Sequence, residues 1–173
     1  DSAIRRQRTV REAEMIGRAK EAGVESPHLF FVDPVGATLV EEFVEGRRLK
    51  ELADSGDVRT VTRLFERLGS AVAKLHGAGL VHGDITTANV ILKGEVLVFI
   101  DFGLAMHSAR LEDHAVDLRL IKETLTGAHS RIAGQGVEAM MRGYGSVAGD
   151  SRLKAVARQL RQIERRGRYA RIG

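Results

Sequence analysis

Three oxygen-bearing side chains stand at spacings that phosphoryl transfer could use. The stretch Val81-His82-Gly83-Asp84-Ile85-Thr86-Thr87-Ala88-Asn89 places an asparagine five residues after an aspartate, and Asp101-Phe102-Gly103 follows twelve residues after that asparagine. A transferring phosphoryl group needs a divalent cation to offset developing charge, and hard Mg2+ prefers oxygen ligands. Asp101 and Asn89 offer a carboxylate and an amide oxygen at the ends of neighbouring strand and loop segments, so both can face one metal site. Asp84 supplies a second carboxylate to accept a hydroxyl proton or orient a water, help typically worth roughly 10²–10⁴ in rate. His82 reads as a brace for the loop. Taken singly, Asp-Phe-Gly is a turn and Asp84 a loop cap. Their order, flanked by apolar strands, is what reads as catalytic.

The surrounding pattern supplies elements to hold these groups. Val58, Val61, Leu64, Phe65, Leu68, Val72 and Leu75 trace an apolar stripe at helical spacing, which predicts a helix over 58–78. Short extended pieces follow at 80–82, 90–92 and 96–100, the last two joined by a hairpin at Lys93-Gly94-Glu95. Upstream, 3–22 reads as an amphipathic helix stopped by Gly23. Strands are predicted over 28–32 and 38–44, with turn chemistry in Asp33-Pro34-Val35-Gly36 and a break at Glu45-Gly46. Downstream, helices are predicted over 112–125, 136–144 and 151–164. His76 reads as a cap on the strong helix, the other histidines as structural, and Met140-Met141 as gap-filling core. The fold class is α+β, two strands with a helix followed by a mostly helical body carrying a hairpin.

The chain has 173 residues, 43% apolar and 29% charged, which suits a globular domain and argues against disorder. Cysteine is absent, which removes disulfides and cysteine-ligated metal sites. There is no apolar run long enough to span a bilayer and no signal peptide, so no membrane role is expected and the expected location is cytoplasmic. The first residue is Asp1, not Met, which suggests a piece of a longer protein or of a fusion. Charge is concentrated at the end. Residues 150–173 hold eight basic side chains (Arg152, Lys154, Arg158, Arg161, Arg165, Arg166, Arg168, Arg171) against Asp150 and Glu164. This block reads either as a solvated helix end or as a site for a polyanion, with Tyr169 interleaved for stacking.

On these motifs the sequence resembles the protein-kinase superfamily, in its atypical branches with a His-Gly-Asp loop. Gly83 stands where typical protein kinases have arginine. Within the superfamily the chain is most similar to the PRPK family, the kinase subunits of the KEOPS (EKC) complex, of the archaeal type. The resemblance rests on Arg8-Thr9-Val10-Arg11-Glu12-Ala13, Glu41-Glu42-Phe43-Val44-Glu45-Gly46 and His82 to Asn89. It continues through Phe99 to Leu104, Glu112 to Leu118 and Arg165-Arg166-Gly167-Arg168-Tyr169.

The resemblance implies a protein-kinase-like two-lobed fold. Residues 1–46 would be the remainder of the small lobe and hinge, 47–164 the helical lobe, and 165–173 a basic tail. It implies ATP and Mg2+ as cofactors, with Asp84 catalytic, Asn89 and Asp101 on the metal, and Glu42, Phe43 and Val44 as an adenine-holding hinge. Glu12 would pair with a nucleotide-binding lysine, and Asp117 would brace the catalytic loop from below. Implied partners are the transferase subunit of the complex, to which some archaeal members are fused, and a small regulatory subunit. The complex makes threonylcarbamoyladenosine on tRNA, which favours tRNA contact through Arg165, Arg166, Arg168 and Arg171.

Two departures qualify it. All six lysines follow Glu12 and no glycine-rich loop precedes it, so the chain is expected to lack about 35–50 residues of small lobe. Asp117 follows the Asp-Phe-Gly closely, with no Ala-Pro-Glu and no proline after Pro34, which leaves no room for a peptide platform. The expected activity is therefore an atypical serine/threonine kinase whose output resembles autophosphorylation and ATP hydrolysis. Two alternatives stand beside it: a small-molecule phosphotransferase of the aminoglycoside or choline kinase type, disfavoured by the short helical body, and a non-catalytic pseudokinase-like tRNA-binding module.

Overall fold

The computed structural model describes residues 2–169. Helix α1 spans Ser2–Glu21 and buries Met15, Ile16 and Ala19. It stops because Gly23 turns left-handed at φ +81°. The Gly23 and Val24 N–H groups then close onto the Lys20 and Ala19 carbonyls, both at 2.9 Å, satisfying the last turn. Strand β1 (Leu29–Asp33) pairs antiparallel with β2 (Thr38–Glu41), and between them the Val35 N–H donates to Asp33 Oδ1 at 2.9 Å. These elements form the small lobe. It is fastened to the rest where Phe99 N–H donates to the Glu25 carbonyl at 2.9 Å.

The chain continues with the two-residue β3 (Arg47–Arg48) and the seven-residue α2 (Leu49–Ser55), then α3 (Val58–Gly77). Asp57 caps α3, its carboxylate accepting from the Arg59 and Thr60 N–H groups. Strand β4 (Leu80–Val81) pairs with β7 (Met106–His107), and β5 (Val90–Lys93) runs in the centre of a sheet between β3 and β6 (Val96–Phe99). The β5–β6 turn is Gly94-Glu95, with Gly94 at φ +58°. Three helices follow: α4 (Leu111–Ala128), α5 (Ala133–Ala148) and α6 (Asp150–Tyr169). Among the described residues no helix is long and apolar enough to cross a membrane.

The stripe foreseen on α3 is buried along its length, from Val61 to Leu75, against α5. Two glycines let the helices approach. A Cβ on Gly69 would lie 1.9 Å from the Met140 carbonyl, and one on Gly143 would lie 1.8 Å from that of Glu66. Tyr144, Phe65, Phe99 and Met140 fill the centre.

Several bounds differ from expectation. Strand β2 ends at Glu41 instead of 44, because the Glu42 N–H turns to the His28 carbonyl and Phe43 leaves the sheet, 87% exposed. Helix α5 is longer than the predicted 136–144, and α6 runs five residues past 164, taking Arg165, Arg166 and Arg168 onto a helix.

Candidate active site

The loop from His82 to Asn89 is pinned from beneath. Asp117 on α4 is fully buried and accepts from the His82 and Gly83 N–H groups, each at 2.9 Å, and from His76 Nε2 at 3.1 Å. Three donors on one carboxylate offset the cost of burying its charge. Gly83 sits at φ +82°, where a Cβ would lie 2.5 Å from the Leu104 carbonyl. That approach leaves no space for a side chain, which accounts for glycine here in place of arginine. The Asp84 N–H donates to His82 Nδ1 at 3.3 Å, so the ring carries its proton on Nε2 and donates to the Ile100 carbonyl at 3.1 Å. Burial holds the His82 imidazole below its ordinary pKa, against the pull of Asp117, Asp84 and Asp101. It is a neutral brace tying the loop to the strand end before Asp101.

His76 is not a helix cap. It is buried inside the lobe, bonded to Asp117 and, at 3.0 Å from Nδ1, to the Tyr144 hydroxyl. A second clamp holds the loop's middle. Buried Thr87 donates from Oγ1 to His129 Nε2 at 2.9 Å, and His129 donates from Nδ1 to Asp54 at 2.7 Å.

Asp84 and Asn89 are bonded to each other within this loop, and Asp101 follows the strand end that bonds back to Asn89. Asn89 Nδ2 donates to the Asp84 carbonyl at 2.9 Å and to Asp84 Oδ2 at 3.0 Å. The amide nitrogen is thereby spent, and Oδ1 remains as an acceptor. Ile100 N–H donates to the Asn89 carbonyl at 3.0 Å, so the residue before Asp101 is fixed against Asn89. Asp101 is exposed and left-handed at φ +62°, a region few residues with side chains adopt. Among the described residues, no three His, Asp or Glu side chains are grouped closely enough to cage a metal ion by themselves. The donor set of Asn89 Oδ1 and the Asp101 carboxylate nevertheless fits a hard divalent cation. Such a cation typically takes one or two protein oxygens and completes its shell with phosphates and water.

The small lobe turns further carboxylates toward this place. Glu12 lies within reach of Gly103, its oxygens 3.8 and 3.9 Å from where a Cβ there would stand. Its pKa is raised by burial first and by Asp101 second. Glu41 is raised by burial, then by Glu12 and Asp101. No ion pair to Glu12 occurs among the described residues. The sequence analysis missed Glu41, and its only signal was its position beside the hinge segment. Of that segment, Glu42 is anchored by Lys93 and by the His28 N–H at 3.1 Å, which hold its carboxyl below the usual range. Phe43 is exposed, and Val44 is buried with Ile91 and Val98 on the β5–β6 surface.

The C-terminal arginines lie elsewhere. Arg166 pairs with Glu112 on α4 at 3.4 Å, Arg165 is exposed, and the Arg119 guanidinium lies beside Gly167. The Arg168 side chain and Arg171 lie outside the described residues. A cleft of about 810 Å3 runs between α1 and β7, and none of Asp84, Asn89 or Asp101 lines it.

Known proteins resemble this chain over most of its length. A RIO domain family model matches residues 2–123. A KEOPS complex subunit Bud32 from Pyrococcus abyssi is 40% identical over 169 residues, covering 98% of this chain and 77% of that protein. A probable bifunctional tRNA threonylcarbamoyladenosine biosynthesis protein from Methanothermobacter thermautotrophicus is 41% identical over 98% of this chain. The chain spans 30% of that longer protein's length. WaaP, solved in complex with acyl carrier protein, superposes with a TM-score of 0.71 over 93% of this chain and 76% of its own, at 19% identity, a likeness of fold. With the pinned His-Gly-Asp loop and the Asp-Phe-Gly aspartate in place, the chain belongs to the Bud32 family of RIO-domain atypical kinases.

Proposed function

We propose that this chain is an ATP- and Mg2+-dependent serine/threonine kinase and ATPase, the kinase subunit of a KEOPS complex supporting threonylcarbamoyladenosine modification of tRNA. The observation that carries the reading is the Asn89 amide. It spends its nitrogen on the Asp84 carbonyl and carboxylate, which leaves its oxygen as an acceptor, and its backbone carbonyl holds the Ile100 N–H next to Asp101.

In this reading Asp84 receives the proton of the attacking hydroxyl, or of a water in ATP hydrolysis. Its Oδ2 is held by Asn89, which orients the carboxylate and leaves Oδ1 for the incoming proton. Asn89 Oδ1 and Asp101 would hold the metal, which when bound offsets charge on the phosphates. Asp117, His82 and His129 do not touch substrate. They fix the loop so that these oxygens keep their places. Phe43 and Val44 would hold the adenine above the Ile91 and Val98 surface. Glu12 and Glu41 would face cationic groups of the nucleotide site, the demand their raised pKa values express.

The partners proposed are the transferase and small regulatory subunits of the complex. Arg165, Arg166, Arg168 and Arg171 would contact tRNA phosphates. The names of the Pyrococcus and Methanothermobacter relatives support this assembly. Asp101→Ala should abolish Mg2+-dependent ATP turnover while circular dichroism and thermal melting stay close to those of the parent. Undiminished turnover in a purified variant would refute the metal assignment.

A further inference from the structure

The helical lobe carries another cleft, of about 680 Å3, lined by none of Asp84, Asn89 and Asp101 but by His76 and Tyr144 beneath the loop. Its walls are small and apolar where α3 and α5 face each other, at Ala73, Val147 and Ala148. Its charged lining is one-sided. Arg152, at the first turn of α6, and Lys74, on the last turns of α3, both line it, and no aspartate or glutamate does.

Arg152 is half-buried and has no carboxylate partner among the described residues. Its guanidinium donates to His114 Nδ1 at 2.7 Å. Other arginines of this lobe, including Arg119, Arg142 and Arg166, each pair with a glutamate. His114 cannot serve as a counter-charge. With Nδ1 accepting from Arg152 and Nε2 donating to the Ser108 carbonyl at 2.8 Å, the ring is neutral.

The bonds leading inward share one polarity. Tyr144, which itself lines the cleft, donates from its hydroxyl to His76 Nδ1 at 3.0 Å. His76 donates from Nε2 to Asp117, which holds the His82 and Gly83 N–H groups. Donors aligned in one direction polarise one another and leave their positive end at the cleft. A guanidinium with unused planar donors, an ammonium at the rim and an absence of competing carboxylates together suit an oxyanion, and above all a phosphate. The volume and apolar wall leave room for a small organic carrier.

We propose that this cleft binds a phosphate group, inorganic or borne by a small molecule, between Arg152 and Lys74, and that its occupancy is felt at His82 and Gly83 through Tyr144, His76 and Asp117. The test is a titration of the chain with inorganic phosphate and separately with glycerol 3-phosphate. Divalent cations are left out, ionic strength is held constant, and binding is followed by calorimetry and by amide resonances. Saturable binding is expected, weakened at least about tenfold by Arg152→Gln and severalfold by the exposed Lys74→Ala, since each removes a charge-assisted contact.

Binding should persist in Asp101→Ala, which separates this cleft from the nucleotide site. The His82 and Gly83 amides should shift on binding in the parent and stay in place in Tyr144→Phe. Tighter binding of glycerol 3-phosphate supports an organic carrier, and equal binding supports the free ion. Absence of saturable binding, or binding that neither Arg152→Gln nor Lys74→Ala alters, would overturn the proposal. Because the readout is binding, the result stands apart from ATP turnover.

Discussion

Glu41 shows how a single side chain is conditioned by its neighbours. Its carboxyl is pushed up by partial burial, by Glu12 and by Asp101, and Glu12 is pushed up in turn by burial and by Asp101. In the unfolded chain each would ionise in the ordinary range, so the folded protein binds more protons. Stability is then greatest below the ordinary carboxylate range and falls as pH rises through the raised values. Glu41→Gln should therefore raise the melting temperature at neutral pH by about 1–3 °C, a small figure because the site is solvent-screened. The gain should fade as pH is lowered through the carboxylate range. A melting temperature unchanged or lowered at pH 7 would show that the carboxylates are not in conflict.

At the scale of elements, the α3–α5 contact decides whether the loop has a platform. Gly143→Ala would drive a methyl group into the Glu66 carbonyl. It should destabilise the protein by at least about 1–3 kcal/mol in denaturant titration, the usual cost of overpacking a tight contact. A cost below about 0.5 kcal/mol would mean that the helices can part freely (a surface-like response).

How far the sequence spoke depends on element length. Helix α3 was legible because seven apolar residues repeat over its twenty. The seven-residue α2 and the two-residue β3 and β7 were not, since neither period can be read from so few positions. The Asp84–Asn89 contact was legible because its members lie five positions apart. The Thr87–His129–Asp54 clamp was not, because its members lie 42 and 75 positions apart and only folding joins them. His76 was misread as a cap for the same reason. Its partner Asp117 is 41 positions away.

At the scale of the whole molecule, the proposed function assigns work to two surfaces: the acidic one of Glu12, Glu41 and Asp101, and the basic end on α6. Arg165 is exposed and, among the described residues, Arg166 is held by an exposed ion pair with Glu112. Either can turn to a phosphate at little cost. Replacing both with glutamine should weaken tRNA binding and lower the log–log salt slope by about 0.7–0.9 for each phosphate that is no longer neutralised. An unchanged slope would place the RNA surface elsewhere.

The central claim concerns Asp84, and it is open to direct measurement. Asp84→Asn keeps the size of the side chain and can still accept from Asn89, but it cannot take up a proton at neutral pH. The initial rate of Mg2+-dependent ATP turnover should fall by roughly 10²–10⁴ with nucleotide affinity little changed. A variant that turns over ATP at the parent rate would contradict the account.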